Sequence, residues 1–295
     1  MTSDDKTALE RPASPAVATM TSATTDVQLA RAWLHDKSIH TVRSYGRAAM
    51  HLLDSIAPRG LRDLRYEDLV AFDTAMRERG LSASSRAAYL TAIKSLLAFA
   101  RRVGYVPHDI GALVRLPKAP DTLHERILPE SEVQAMLRSA RARPLRYAAL
   151  CLGYYGGLRV AEIVGLRWRD VQARDAGQIQ LAVHGKGGRT RRVLLSRVAS
   201  QAVAAVQPDE RPPDAHVVPR TARTVSRWVR EAAREAGVDG NVSPHWLRHC
   251  HASHALDRGA PAHLVRQTLG HASLDTTSRY SHARPNESSA TYLPE

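Results

Sequence analysis

Apolar residues in the first third of the chain recur at the three- and four-residue steps of a helix. Ile39, Val42, Tyr45, Ala49, Leu52 and Ile56 form one stripe, and Leu69, Phe72 and Met76 repeat the pattern over a shorter length. A third helix is entered through Ser82–Ser85 and turns Tyr89, Ile93, Leu96, Leu97, Ala100 and Val103 inward, with Gly104 as its stop. The segment from Arg115 to Glu132 carries Pro117, Pro120 and Pro129 without any periodicity, which is the signature of an interdomain linker.

Beyond it, helical patterns over Glu130–Ser139 and Leu145–Tyr155 end at Gly156-Gly157. Two alternating runs, Ile179–Val183 and Arg191–Leu195, flank a Gly-rich turn and predict a β-hairpin. Helical spacing returns over Val225–Ala236, Pro244–Asp257, Pro261–Leu269 and Leu274–Ser281. The expected fold is mostly α with one small antiparallel β-sheet, in two domains. Residues 1–26 are expected to be a disordered leader, too poor in apolar groups to offset the entropy of ordering. Residues 27–116 then form a small helical domain, 117–129 the linker and 130–295 a larger domain.

Charge adds a partner to this picture. The 295 residues carry a formal charge of +13, and both expected domains are basic. Two positive surfaces suit a polyanion, most simply a nucleic-acid duplex held between them. Arg outnumbers Lys 37 to 5, so a bias toward Arg codons contributes. Lys94 and Arg102 lie off the inward stripe of the third helix, where a solvated face and a phosphate contact are equally compatible with the pattern. The two cysteines, Cys151 and Cys250, make no disulfide framework and fit a reducing, cytoplasmic setting. No apolar run approaches the ~20 residues that cross a bilayer, so no membrane partner is expected.

Six residues of the second domain carry candidate chemistry: Arg159, Lys186, His245, Arg248, His271 and Tyr280. His245 and Arg248 in PHWLRH are three residues apart, one turn along the same helix face, a pairing suited to an anion. Arg159 directly follows the Gly-Gly break, with Glu162 one turn later to hold it. His271 follows the helix stop at Gly270, and Tyr280 lies nine residues further on. Lys186 is the only lysine after residue 118, in a segment with 24 arginines. At a hairpin tip it points to work that Arg cannot do, since an ammonium can release its proton and a guanidinium cannot.

The ordered wording GLRVAEIVGLRW, HGKGGRTRRVLL, HWLRHCHASHAL and LGHASLDTTSRYSHA resembles the tyrosine recombinases, the family of Xer-type recombinases and phage integrases. RLPKAPDTLHERILPESEVQAML resembles that family's linker, and the likeness spans about residues 27–282. It implies a SAM-like core DNA-binding domain and a catalytic domain clamped around DNA. It also implies site-specific strand exchange at short inverted-repeat core sites by a homo- or hetero-tetramer on two duplexes, without metal or other cofactor. By that resemblance Arg159 and Arg248 clamp the scissile phosphate and His271 adds a hydrogen bond. Tyr280 attacks to leave a 3′-phosphotyrosine, Lys186 protonates the departing 5′-oxygen, His245 assists as acid–base and Glu162 orients Arg159.

Several departures and rival readings bear on that expectation. His249–His251 (HCH) stand where the family more often has a small or hydroxyl residue and an aromatic, a change expected to touch local packing only. Fifteen residues follow Tyr280, where family members often pass a C-terminal helix to the neighbouring protomer, so a reduced or different exchange is expected. No separate arm-binding domain precedes residue 27, which suits a simple core-site recombinase of the Xer or transposon kind. A relaxing topoisomerase would use the same constellation, and a DNA-binding regulator would need no Tyr280. A metal site at His245, His249, His251 and His254 matches no known ligand spacing.

Overall fold

The structure is a computed structural model that describes residues 19–118, 124–185, 188–210 and 212–270. The chain divides after Pro120 into two compact units. In the first, helices α1 (Asp26–Leu34), α2 (Ile39–Ile56), α3 (Tyr66–Glu78) and α4 (Ala83–Arg102) enclose a core of Leu29, Trp33, Leu52, Ile56, Leu69, Phe72, Ile93 and Leu96. Thr25, Ser38 and Ser82 each accept a backbone N–H of the following turn and so start α1, α2 and α4. Gly104, at φ +72°, ends α4 in the left-handed region that glycine enters without a Cβ penalty.

Two expectations change here. Helix α1 starts inside the stretch read as a leader. Asp26 accepts the Leu61 N–H at 2.9 Å and the Tyr105 hydroxyl at 2.8 Å, and Met20 N–H donates to the Val103 carbonyl. Order at this end comes from polar caps and links, which a count of apolar groups does not register. Lys94 is likewise a structural strap, because its Nζ donates to the Val114 carbonyl at 2.6 Å and to that of Ala112 at 3.3 Å. Arg102 is exposed in the last turn of α4. The stripe on α2 is buried only in its C-terminal half, and Ile39 is 61% exposed.

The second unit is built around α6 (Pro144–Tyr154), whose run Ala148–Tyr154 is wholly buried. Around it pack α5 (Glu130–Ala140), α7 (Val160–Gly165), α8 (Arg197–Ala204), α9 (Ala222–Glu235) and α10 (Pro244–Asp257). Arg146, 1% exposed in the first turn of α6, is held by both carboxylate oxygens of Glu235, at 3.0 and 2.8 Å. Helix α11 (Ala262–Leu269) follows α10 and shares with it a smaller cluster of Ala252, Leu256, Val265 and Leu269.

Strands β1 (Val171–Ala173), β2 (Ile179–His184) and β3 (Thr190–Leu194) form an antiparallel sheet in that order. β2 and β3 are the expected hairpin, in the register Leu181↔Val193 and Val183↔Arg191. The three-residue β1 is too short to show alternation, and the Ala-rich α8 too weak to show a stripe. The stretch read as linker through residue 129 ends earlier. Leu128 is buried in the second core, with its N–H 3.2 Å from Cys250 Sγ and its carbonyl 2.9 Å from His254 Nε2. The expected helix Leu274–Ser281 lies outside the described residues. Among the described residues, no helix is long and apolar enough to cross a membrane.

Replacing Lys94 by Met keeps the stem and removes the ammonium, leaving two carbonyls without that donor. Urea unfolding should show the first unit destabilised by about 1 kcal/mol, and the salt dependence of DNA binding should be unchanged. A flatter salt dependence with no loss of stability would return Lys94 to a phosphate-contacting role.

Candidate active site

The chain leaves α6 through Gly156 and Gly157, and Gly157 adopts φ +60°. A Cβ there would lie 2.8 Å from Leu269 Cδ2 and 3.0 Å from the His251 ring, so the backbone passes directly against α10 and α11. The Gly157 carbonyl accepts Arg248 Nη1 at 2.6 Å, and the Leu269 carbonyl accepts Arg248 Nη2, also at 2.6 Å. Arg248 is thereby a fully buried guanidinium joining the Gly-Gly break to the end of α11. Arg159 is the N-cap of α7. Its N–H donates to Glu162 Oε2 at 2.8 Å and its Nη1 to Oε1 at 3.0 Å, while its side chain stays 43% exposed.

Glu162 is the centre of this arrangement. Besides Arg159 it accepts both terminal nitrogens of Arg191 from β3, at 2.9 and 2.8 Å, and Arg248 Nη1 lies 3.9 Å away. Burial alone would push its carboxyl pKa up. The Arg191 hydrogen bonds, the Arg159 N–H and the two positive charges outweigh burial and pull it down to about 2. One anion thus anchors three guanidiniums without neutralising them all, and leaves a net positive cradle with Arg159 at its exposed rim. Such a cradle suits a phosphodiester, whose non-bridging oxygens match the planar fork of Arg.

His245 stands exposed in the first turn of α10, with its ring 4.1 Å from that of His249. Its pKa is lowered by partial desolvation first, then by the charges of Arg248, Arg159 and Arg126, which favours the uncharged imidazole beside the cradle. His251 and His254 of α10 tie that helix to its neighbours. His251 Nδ1 bonds the Tyr154 carbonyl at 2.7 Å, and burial lowers its pKa to about 4. His254 bridges the Tyr154 hydroxyl, at 3.0 Å, and the Leu128 carbonyl. Among the described residues no cluster of His, Cys, Asp or Glu is arranged to hold a metal ion. Both cysteines are buried and free, with thiol pKa values pushed up to about 12 by burial.

Arg159, Glu162, His245 and Arg248 are therefore brought together. Lys186, His271 and Tyr280 lie outside the described residues, while the described residues just before Lys186 and His271, Gly185 and Gly270, lie at the cradle. A Cβ on Gly185 would lie 4.0 Å from Glu162 Oε1, and one on Gly270 would lie 2.9 Å from Arg191 Cδ. Lys94 and Arg102 belong to the other unit. Arg191 was missed in the sequence, although a signal was there. It shares strand parity with the buried Val193, and a charged residue on an inward face calls for a partner.

The Phage integrase family matches residues 126–287, more than half of the chain. This chain is a tyrosine recombinase of that family. The family's N-terminal SAM-like domain matches residues 29–104. Tyrosine recombinase XerC of Xanthomonas campestris pv. campestris (strain B100) is 34% identical over 261 residues, covering 83% of this chain and 79% of the relative. In fold, the chain is similar to lambda integrase residues 75–356, solved as a dimer bound to a COC′ core site. There the TM-score is 0.73 at 18% identity, over 88% of this chain and 95% of the other. A lambda integrase tetramer bound to a Holliday junction gives 0.72 at 18% identity, over 88% and 77%. The recombinase fold thus spans both units, and the arginine cradle falls within the segment that matches the Phage integrase family.

The lowered pKa of Glu162 has a consequence for stability. Because the folded value lies below the unfolded one of 4.5, its contribution is complete above that pH and fades as pH falls toward about 2. The shift is worth on the order of 3 kcal/mol. The stability difference between wild type and Glu162→Gln should be large at neutral pH and shrink steadily through this acid window. A difference that is constant with pH would contradict the ionised, arginine-bound carboxylate.

Proposed function

We propose that this recombinase cleaves and rejoins DNA at short inverted-repeat core sites through a 3′-phosphotyrosine at Tyr280, assembling as a tetramer on two duplexes. The observation that carries the reading is the positive cradle in which Glu162 holds Arg159 close to the buried Arg248. A phosphodiester seated there places its non-bridging oxygens against fixed guanidiniums, which stabilise the added charge of the pentacovalent transition state. His245, its pKa lowered by desolvation and the nearby arginines, can accept or pass a proton at the rim. Tyr280 gives up its phenolic proton to His245 as its oxygen forms the bond to phosphorus, and the expelled 5′-oxygen takes a proton from Lys186. His271 contributes a hydrogen bond to the same phosphate. The bond energy is kept in the phosphotyrosine, so a 5′-hydroxyl of another strand can reverse the step without ATP. The basic character of both units supports a clamp on the duplex, and the lambda integrase tetramer on a junction supports the four-protomer assembly.

The division of labour between Lys186 and the arginines is open to a direct test. An alkoxide leaving group resembles water in basicity, with a pKa of roughly 15.7, whereas a thiol's is about 8.5. Sulfur at the bridging 5′ position therefore removes most of the need for a proton donor. Lys186→Ala should cleave ordinary site DNA very slowly and the sulfur-substituted strand at close to the wild-type rate. Arg248→Ala should stay slow on both, because bridging sulfur does not replace charge on the non-bridging oxygens. Rescue of Arg248→Ala but not of Lys186→Ala would exchange the two roles. Cleavage should also persist in excess EDTA, and its loss on chelation with recovery on one divalent ion would overturn the mechanism.

A further inference from the structure

Arg191 ties the hairpin to two other elements of the site. It lies on β3 opposite Val183, and its side chain is 13% exposed. Nη1 and Nη2 grip the two oxygens of Glu162, and Nε donates to the Thr268 carbonyl at 2.6 Å. The next carbonyl along, that of Leu269, is taken by Arg248. The last turn of α11 is thus held by two guanidiniums side by side, and both approach the same carboxylate. Gly270 caps that turn at φ +65°, and its missing Cβ leaves the space that the Arg191 stem fills. The chain runs on from there to residue 271, and β3 is the strand that follows the hairpin turn.

We propose that Arg191 is the positioning residue that locks β3, α7 and the end of α11 together, so that Arg159 and Arg248 are presented to the phosphate in one fixed geometry. The inference rests on the phosphate-site reading given above. Three N–H directions of one planar group are used on three fixed acceptors, and an ammonium at the same place cannot span them. Without the fork, Glu162 keeps only the Arg159 contacts on its own helix and the more distant Arg248. Among the described residues, the groups facing Glu162 are Arg159 from α7, Arg191 from β3 and Arg248 from α10, with the titratable His245 near the last. Removing Arg191 deletes the closest side-chain charge on the carboxylate and lets burial dominate its ionisation.

The test uses the full-length protein and a nicked duplex bearing its recombination site, chosen by selection for bound DNA. The single-turnover rate of covalent complex formation is followed from acid to neutral pH, with DNA affinity and thermal melting measured alongside. Arg191→Ala and Arg191→Lys should both cleave about 100-fold more slowly, the loss expected for a misplacement on the order of 1 Å, with DNA affinity unchanged. Their rates should also fall off at higher pH than wild type as acid is added, because Glu162 then protonates more readily. Combined with Glu162→Gln, Arg191→Ala should cost no more than the larger single loss. If Arg191→Ala does not fold, Arg191→Lys decides, since it keeps the charge and the stem. Wild-type cleavage by Arg191→Lys, or a loss with an unmoved acid limb that adds to that of Glu162→Gln, overturns the proposal. Arg159→Ala is measured in parallel. If it too cleaves normally, the phosphate-site reading itself falls; if it is inactive while Arg191→Lys is fully active, only the role of Arg191 falls.

Discussion

The second unit is organised around one buried carboxylate shared by three guanidiniums. Glu162 meets Arg159 from its own helix, Arg191 from the hairpin and Arg248 from α10, and each is bonded elsewhere to backbone or fixed by a cap. A buried arginine cluster without an anion would repel itself apart, and a buried anion with a single partner would leave no net charge for a substrate. Three to one satisfies both requirements. The cost of desolvation is met by hydrogen bonds on every side of the carboxylate, and enough positive charge remains to bind a phosphate.

The surrounding fold can be read as what this cluster requires. α6 is buried from Ala148 to Tyr154, where it delivers the Gly-Gly break against α10, and Gly157 is where the backbone comes too close for any side chain. The HCH departure in α10 fits this closeness. His251 lies against Gly157 and is fastened to the Tyr154 carbonyl, while burial keeps it uncharged near the arginines. A protonated imidazole there would add a fourth positive charge, which the single carboxylate is not placed to offset.

Much of this was legible from residue order. The hairpin and the helices α4, α5, α6, α10 and α11 follow from period and punctuation, because strong alternation and Ser, Gly or Pro stops act locally. Arg159, Glu162, His245 and Arg248 were found by motif, and the structure brings all four to one place. What stayed hidden depends on long-range polar contacts. Asp26 orders the N-terminal end through Leu61 and Tyr105, 35 and 79 residues away, and no local pattern encodes that. Lys94 reads as a surface cation until its carbonyl acceptors 18 and 20 residues on are seen. Arg191 was visible only as a charge out of place on an inward strand face.

The central claim is that this arginine cradle serves strand cleavage by Tyr280, and the linked residue can be identified chemically. The covalent complex formed on a nicked site duplex would be isolated under denaturing conditions, digested with protease and nuclease, and sequenced by mass spectrometry. The account requires the nucleotide adduct on the peptide containing Tyr280, joined through the 3′-phosphate. An adduct on Tyr292 or any other side chain, or a 5′-phosphate linkage, would contradict it.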